Sequence, residues 1–119
     1  MKIAIGGMQK NEMERVIKQH MPEVETVITN DMAAAKMIKN GEVDYYFGAC
    51  ESGGGSAISI LIGLVGYNKC ATVNRLGATP NREEMDKYVK EGKLCFGMTV
   101  QSIPQAVPIL LDVLKENRK

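Results

Sequence analysis

A chain of 119 residues with 24% charged side chains and a formal net charge of +1 has room for one hydrophobic core, and it carries neither a broad basic surface nor an acidic tail. That balance ranks nucleic-acid partners low. Three widely spaced cysteines, no Cys-x-x-Cys and a single histidine argue against a disulfide framework and a zinc site, and nothing in the composition calls for a cofactor.

The amino end, Met1-Lys2-Ile3-Ala4-Ile5-Gly6-Gly7, is too short for the apolar part of a signal peptide and reads directly as a first strand, Lys2 to Gly6. A cytoplasmic protein is therefore expected. The longest apolar stretch, Ala57 to Val65, is shorter than the roughly 20 residues a membrane span needs, so no membrane partner is expected either.

After the first strand, Met13, Val16, Ile17 and Met21 fall on one stripe at helical spacing, with Glu14 and Lys18 placed as an i,i+4 pair, until Pro22 stops the helix. Glu25 to Thr29, rich in β-branched residues, is the second strand. Asn30-Asp31 caps a helix through Met32, Ala35, Met37 and Ile38 that ends at Asn40-Gly41. Val43 to Ala49 is the third strand. Ser56 to Tyr67 is apolar on nearly every face, so part of that helix is expected to pack against another copy of the chain in a homo-oligomer. Cys70 to Val73 is the fourth strand. Asn81 and Glu84 open a capped helix that buries Met85, Tyr88 and Val89 and ends at Gly92. Leu94 to Val100 is the fifth strand, and Ser102-Ile103-Pro104 opens a last helix with Val107, Leu110, Leu111 and Leu114 inward and Pro108 near its first turn or at a kink.

Strands that alternate with helices, and are apolar throughout rather than at every second residue, predict a parallel sheet covered on both faces. The expectation is one α/β domain over residues 1–119: a three-layer sandwich of flavodoxin or Rossmann type with a five-stranded parallel sheet in the order 2-1-3-4-5. In that order the chain reverses between strands one and three, and ligands bind beyond the carboxyl ends of the strands at that reversal.

The two loops meeting there are Gly6 to Lys10 and Cys50-Glu51-Ser52-Gly53-Gly54-Gly55-Ser56. Glycines let backbone N–H groups approach a ligand, Ser52 or Ser56 can cap the next helix, and a helix N-terminus favours phosphate or carboxylate. Gly7, Lys10, Cys50, Glu51, Ser52, Gly53, Gly54, Gly55, Ser56, Asn74 and Arg75 are thus the candidate ligand-binding residues for a small anionic metabolite. Asn30, Asp31, Thr99, Gln101 and Ser102 also sit at strand carboxyl ends. Cys50, a thiol beside a helix start, is the one cysteine with an electrostatic reason to be reactive and is the candidate catalytic residue. Cys70 and Cys95 fall within strands and read as core, His20 reads as a surface residue, and the eight methionines read as core filling.

Two resemblances bear on this reading. The succession of Asn30-Asp31-Met32, Asp44-Tyr45-Tyr46, Gly48-Ala49-Cys50, Gly66-Tyr67-Asn68-Lys69, Glu91-Gly92-Lys93 and Phe96-Gly97 is similar to the YhfU-like family, bacterial proteins that carry a domain of unknown function. The stretch Cys50 to Gly55 resembles more distantly the cysteine-and-glycine loop of ribose-5-phosphate isomerase B, which would make Cys50 a proton-transferring base. That family has an Asp-His pair after strand one where the loop here is Gly7-Met8-Gln9-Lys10, its later histidine has no counterpart around Glu91 to Leu94, and Glu51 stands where it has glycine. Three functional readings follow: a homo-oligomeric binder of a phosphorylated or carboxylated metabolite, a sugar-phosphate isomerase-like enzyme using Cys50, or a non-catalytic assembly subunit.

Overall fold

The computed structural model describes residues 1–51 and 57–118. Five parallel strands, β1 (Lys2–Gly7), β2 (Glu25–Ile28), β3 (Tyr45–Cys50), β4 (Cys70–Asn74) and β5 (Cys95–Thr99), form one sheet. The helices are α1 (Lys10–His20), α2 (Asp31–Lys39), α3 (Ser59–Leu64), α4 (Arg82–Lys90) and α5 (Ile103–Glu116). The α/β class and the parallel sheet between helical layers agree with the sequence reading. The strand order does not: it is 2-1-3-5-4, with β5 between β3 and β4.

The physical reason lies in α5, which buries seven residues, more than any other helix. Such a helix belongs in the middle of its layer, and α5 packs on both α1 and α4. The strand that feeds it must then be interior as well, and every residue of β5 is buried. Right-handed crossovers account for the layers, because β1→β2 and β4→β5 run in one direction across the sheet while β2→β3 and β3→β4 run in the other. Accordingly α1, α4 and α5 cover one face, and α2 and α3 pack together on the opposite one.

Side chains alternate between these layers with the period of two that a strand imposes. Ile3, Ile5, Tyr45, Phe47, Ala71, Val73, Phe96 and Met98 point toward the three-helix layer, with Phe47 edge-on to Phe96 at 6.1 Å between ring centroids. The opposite face carries small residues, Ala4, Cys70 and Cys95, and Tyr46 is its one large side chain. This explains why α2 buries Ala34 and Ala35 where other helices bury Met, Ile or Leu: little space separates it from the sheet.

Local signals behave as capping chemistry requires. Asn30 Oδ1 accepts from Ala33 N at 2.9 Å and Asn81 Oδ1 from Glu84 N at 3.0 Å, each satisfying a first-turn N–H. Pro108 is the sixth residue of α5, just past its first turn. Two expectations need correction. Glu14 and Lys18 do not pair with each other; Thr26 Oγ1 donates to Glu14 at 2.7 Å and Lys18 Nζ donates to Val24 O at 2.5 Å, so both reach past their own helix. The apolar helix is shorter than Ser56 to Tyr67, because Gly66 takes φ +125, outside helical geometry, and Ile62 and Leu61 carbonyls are closed off by the turn it makes. Among the described residues no helix is long and apolar enough to cross a membrane.

Candidate site at the carboxyl edge of the sheet

The chain reverses between β1 and β3, and their ends are stitched together there. Gly7 has φ +75, and the Met8 N–H donates to Ala49 O at 2.8 Å. A Cβ on Gly7 would overlap the Ala49 backbone, so glycine is required by contact as well as by φ. Gln9 follows with φ 54, a left-handed conformation in a residue that is not glycine, and makes no side-chain cap bond to α1. Lys10, half-buried, begins α1 and makes no ion pair among the described residues.

Cys50 ends β3 half-buried and Glu51 is exposed. Ser52, Gly53, Gly54, Gly55 and Ser56, the centre of the expected glycine loop, lie outside the described residues. The helix beyond them has six residues with Ile58 at its N-cap position, so it offers less dipole than the twelve-residue helix that was expected. Gly7 is thus in register with Ala49, Cys50 and Glu51 follow at the end of β3 and Lys10 begins α1; these are the described residues at the β1–β3 crevice that the sequence leads one to expect. Asn74 and Arg75, at the end of β4, stand one strand further off, because β5 intervenes and pairs Thr99 with Cys50.

Beside this crevice is a row that sequence reasoning missed. Gly6, Gly48 and Gly97 are in direct register on three adjacent strands. Tyr46 lies along the first two of them: a Cβ built on either Gly6 or Gly48 would come within 2.5 Å of its hydroxyl oxygen. The ring is fully buried and its hydroxyl donates to Asp31 Oδ1 at 2.5 Å, at the first residue of α2. Burial first, and the adjacent Asp31 carboxylate second, push this phenol well above the ordinary tyrosine range. Gly97 is covered instead by Ile58 and Ala57 at the start of the apolar segment. The available signal was the repeated pair of a bulky apolar residue followed by glycine, Ile5-Gly6, Phe47-Gly48 and Phe96-Gly97, once in each of the three strands.

The other thiols are structural. Cys70 and Cys95 are buried register partners, and a hydrogen bond between them together with burial raises the Cys95 thiol above the usual range. His20 sits on the surface as expected, and its Nε2 bonds Asp112 Oδ1 of α5 at 2.8 Å. The described edge of the sheet carries Lys10 and Arg75 against Asp31 and Glu51, so net charge alone does not select anions; backbone N–H groups would have to.

The chain matches, over residues 1–114, the family described as a protein of unknown function, DUF2620. It is 40% identical over 115 residues to the protein named "Uncharacterized protein YhfU" in Escherichia coli, with 96% of this chain and 98% of that protein aligned, and the same figures hold for YhfU of Shigella flexneri. No solved structure matches it significantly. With alignment over nearly its whole length at this identity, the chain belongs to the DUF2620 family of YhfU-like proteins.

Proposed function

We propose that this protein is a cytoplasmic, self-associating binder of a small phosphorylated or carboxylated metabolite, held between the Gly7 to Lys10 loop and residues 50–56. The observation that carries the reading is the left-handed Gln9 beside Gly7, at the point where the ends of β1 and β3 are joined. A non-glycine residue in that conformation costs roughly 1–2 kcal/mol, and such strain gathers at ligand-contacting turns. Self-association is supported by α3, whose Ile60 and Leu64 are exposed along with neighbouring Tyr67, in a stretch from Ala57 to Asn68 without a charged residue.

A thermal-shift screen against inorganic phosphate, sugar phosphates and small carboxylates tests the binding. Ligand at a hundred times its Kd adds about 2.7 kcal/mol of stability, enough for a clear rise in Tm. The rise should be lost in Lys10→Gln and in Gly54→Asp while both variants still fold; no rise with any compound would refute the reading. Sedimentation of Ile60→Glu beside the parent protein tests the interface, and an unchanged monomer in both would remove it.

Cys50 favours a second reading, proton transfer of the sugar-phosphate isomerase kind, because it alone of the three thiols is not buried and it ends β3 at the same crevice. Alkylation followed against pH separates the two: a Cys50 that reacts only near the ordinary thiol range would eliminate it as a catalytic base.

A further inference from the structure

The sheet ends on two edge strands, and only one of them is guarded. β2 opens with Glu25, has no buried residue and is bordered by side chains of α1, since Thr26 Oγ1 donates to Glu14 and Lys18 Nζ donates to Val24 O. Charged side chains of this kind keep an edge from pairing with another chain. β4 carries neither charge nor proline, and four of its five residues are buried because helices cover both of its faces. Its one irregularity is a register shift against β5 between Thr72 and Asn74. Lys69 O accepts from Leu94 N on the β5 side, so alternation along the strand turns the N–H and C=O of Thr72 outward, beyond the last strand of the sheet.

A groove of about 280 Å³ follows this edge past Cys70, Ala71 and Thr72, walled by Ile58 and Ile62 on the α3 face and by Tyr88 of α4. Tyr67, 76% exposed, and Leu76, 66% exposed, are the two most exposed large apolar side chains among the described residues, and they stand just before and just after β4. Each end of the strand also has one cation and one anion. At the amino end are Glu91 and Lys93, whose Nζ is 5.6 Å from the Tyr67 ring centroid; at the carboxyl end are Arg75 and Glu84. None of these four charges makes an ion pair among the described residues.

A foreign strand could fill the groove, but it need not match this paired arrangement at the two ends. A second copy, laid antiparallel about a two-fold axis at Thr72, matches it by symmetry. The outward N–H and C=O of Thr72 then exchange hydrogen bonds with the partner's Thr72, and Tyr67 lies beside the partner's Leu76 at both ends. Arg75 meets the partner's Glu91, and Glu84 meets the partner's Lys93, so every cross-strand charge pair is of opposite sign. We propose that β4 is the edge through which two copies pair, joining their sheets into one of ten strands. This rests on the self-association read from α3, whose Ile62 borders the same groove, and is independent of ligand binding at the crevice.

Sedimentation velocity over a concentration series, combined with hydrogen exchange at the Thr72 amide, tests the pairing. The parent should be a dimer whose Kd rises at least ten-fold in Leu76→Lys and in Arg75→Glu, and Arg75→Glu/Glu91→Arg should recover most of that loss. The Thr72 amide should exchange at least ten-fold faster once the protein is diluted below its Kd. Thr72→Pro removes an N–H that faces away from the sheet, which an edge strand tolerates, so it should fold and stay monomeric; Leu76→Lys, at an exposed turn, carries the test if it does not fold. A dimer that breaks in Ile60→Glu, with Leu76→Lys unchanged and Thr72 exchange independent of concentration, would place the interface on α3 alone and overturn the β4 pairing. No recovery in the double variant would overturn the two-fold arrangement. A parent that is monomeric at every concentration would overturn the self-association as well, while leaving the metabolite reading standing.

Discussion

Replacing Gly48 by alanine is the sharpest test of the packing on the α2–α3 face. The new methyl group would lie 2.5 Å from the Tyr46 hydroxyl oxygen and 2.8 and 2.9 Å from two of its ring carbons. Since Tyr46 is fully buried and bonded to Asp31, it cannot swing away without losing that bond. Overpacking costs about 1–3 kcal/mol and a hydrogen bond to a charged group about 1.5–3 kcal/mol, so Gly48→Ala should destabilise by about 4 kcal/mol. At a urea slope of about 1.5 kcal/mol per molar, the unfolding midpoint falls by roughly 2–3 M. Gly41→Ala is the control, since its φ is +72 but a Cβ there meets nothing within 4 Å; it should lose only about 1 kcal/mol. Tyr46→Phe gives up the hydrogen bond and should relieve part of the clash, so the double variant should be more stable than the sum of the singles by about the value of that bond. A Gly48→Ala protein within 1 kcal/mol of the parent would refute the reasoning, because it would mean Tyr46 moves freely.

The same phenol makes stability depend on alkaline pH. Its folded-state pKa is raised, so the unfolded chain loses its proton first, near pH 10; the stabilisation is complete below that value and falls by about 1.4 kcal/mol per pH unit above it. Cys95, also raised, adds a loss of the same sign from about pH 8.5, so the test is the difference between parent and Tyr46→Phe, which should be constant up to about pH 9.5 and shrink beyond it; parallel curves would count against it. Of the three thiols only Cys50 should react with a bulky disulfide reagent in the native protein, and all three after denaturation; a second fast thiol would contradict the burial of the Cys70–Cys95 pair. Asn30→Ala and Asn81→Ala should each cost about 1 kcal/mol in denaturant unfolding and add in the double variant, because the caps belong to helices on opposite faces of the sheet.

Much of the fold was legible because it depends on local pattern. The glycine and proline stops, the Asn caps and the unbroken apolar strands report short-range physics, and they located the five strands and five α-helices of the described residues, though not the 3-10 turns at Tyr67–Lys69 and Val100–Ser102. Strand order is different in kind. It depends on which helix needs the most cover, and the seven buried residues of α5 draw β5 into the sheet interior in a way that no window around β4 or β5 reveals. The candidate site divides along the same line. Gly7 and Cys50 were found from turn chemistry and from the reversal between β1 and β3, which survives the change in order. Asn74 and Arg75 were included because they follow the carboxyl end of β4, and the observed order sets β5 between that end and β3.

The glycine row connects that topology to the site. A glycine inside a strand usually weakens it, yet three in register lie at the buried centre of this sheet. The space they leave is filled from one end by Tyr46 and from the other by Ile58 and Ala57. Tyr46 thereby spans Gly6 at the end of β1 and Gly48 in β3 while holding Asp31 at the start of α2. One side chain therefore sets the relative position of three segments that leave the carboxyl edge of the sheet, and they include both loops that border the crevice. If the crevice binds a ligand, Tyr46 acts as a positioning residue for it: Tyr46→Phe should leave the fold in place while loosening the alignment of the Gly7 turn with the end of β3. Hydrogen exchange at the Met8 N–H, which donates to Ala49 O, reads that alignment directly, and unchanged protection there would confine the role of Tyr46 to stability.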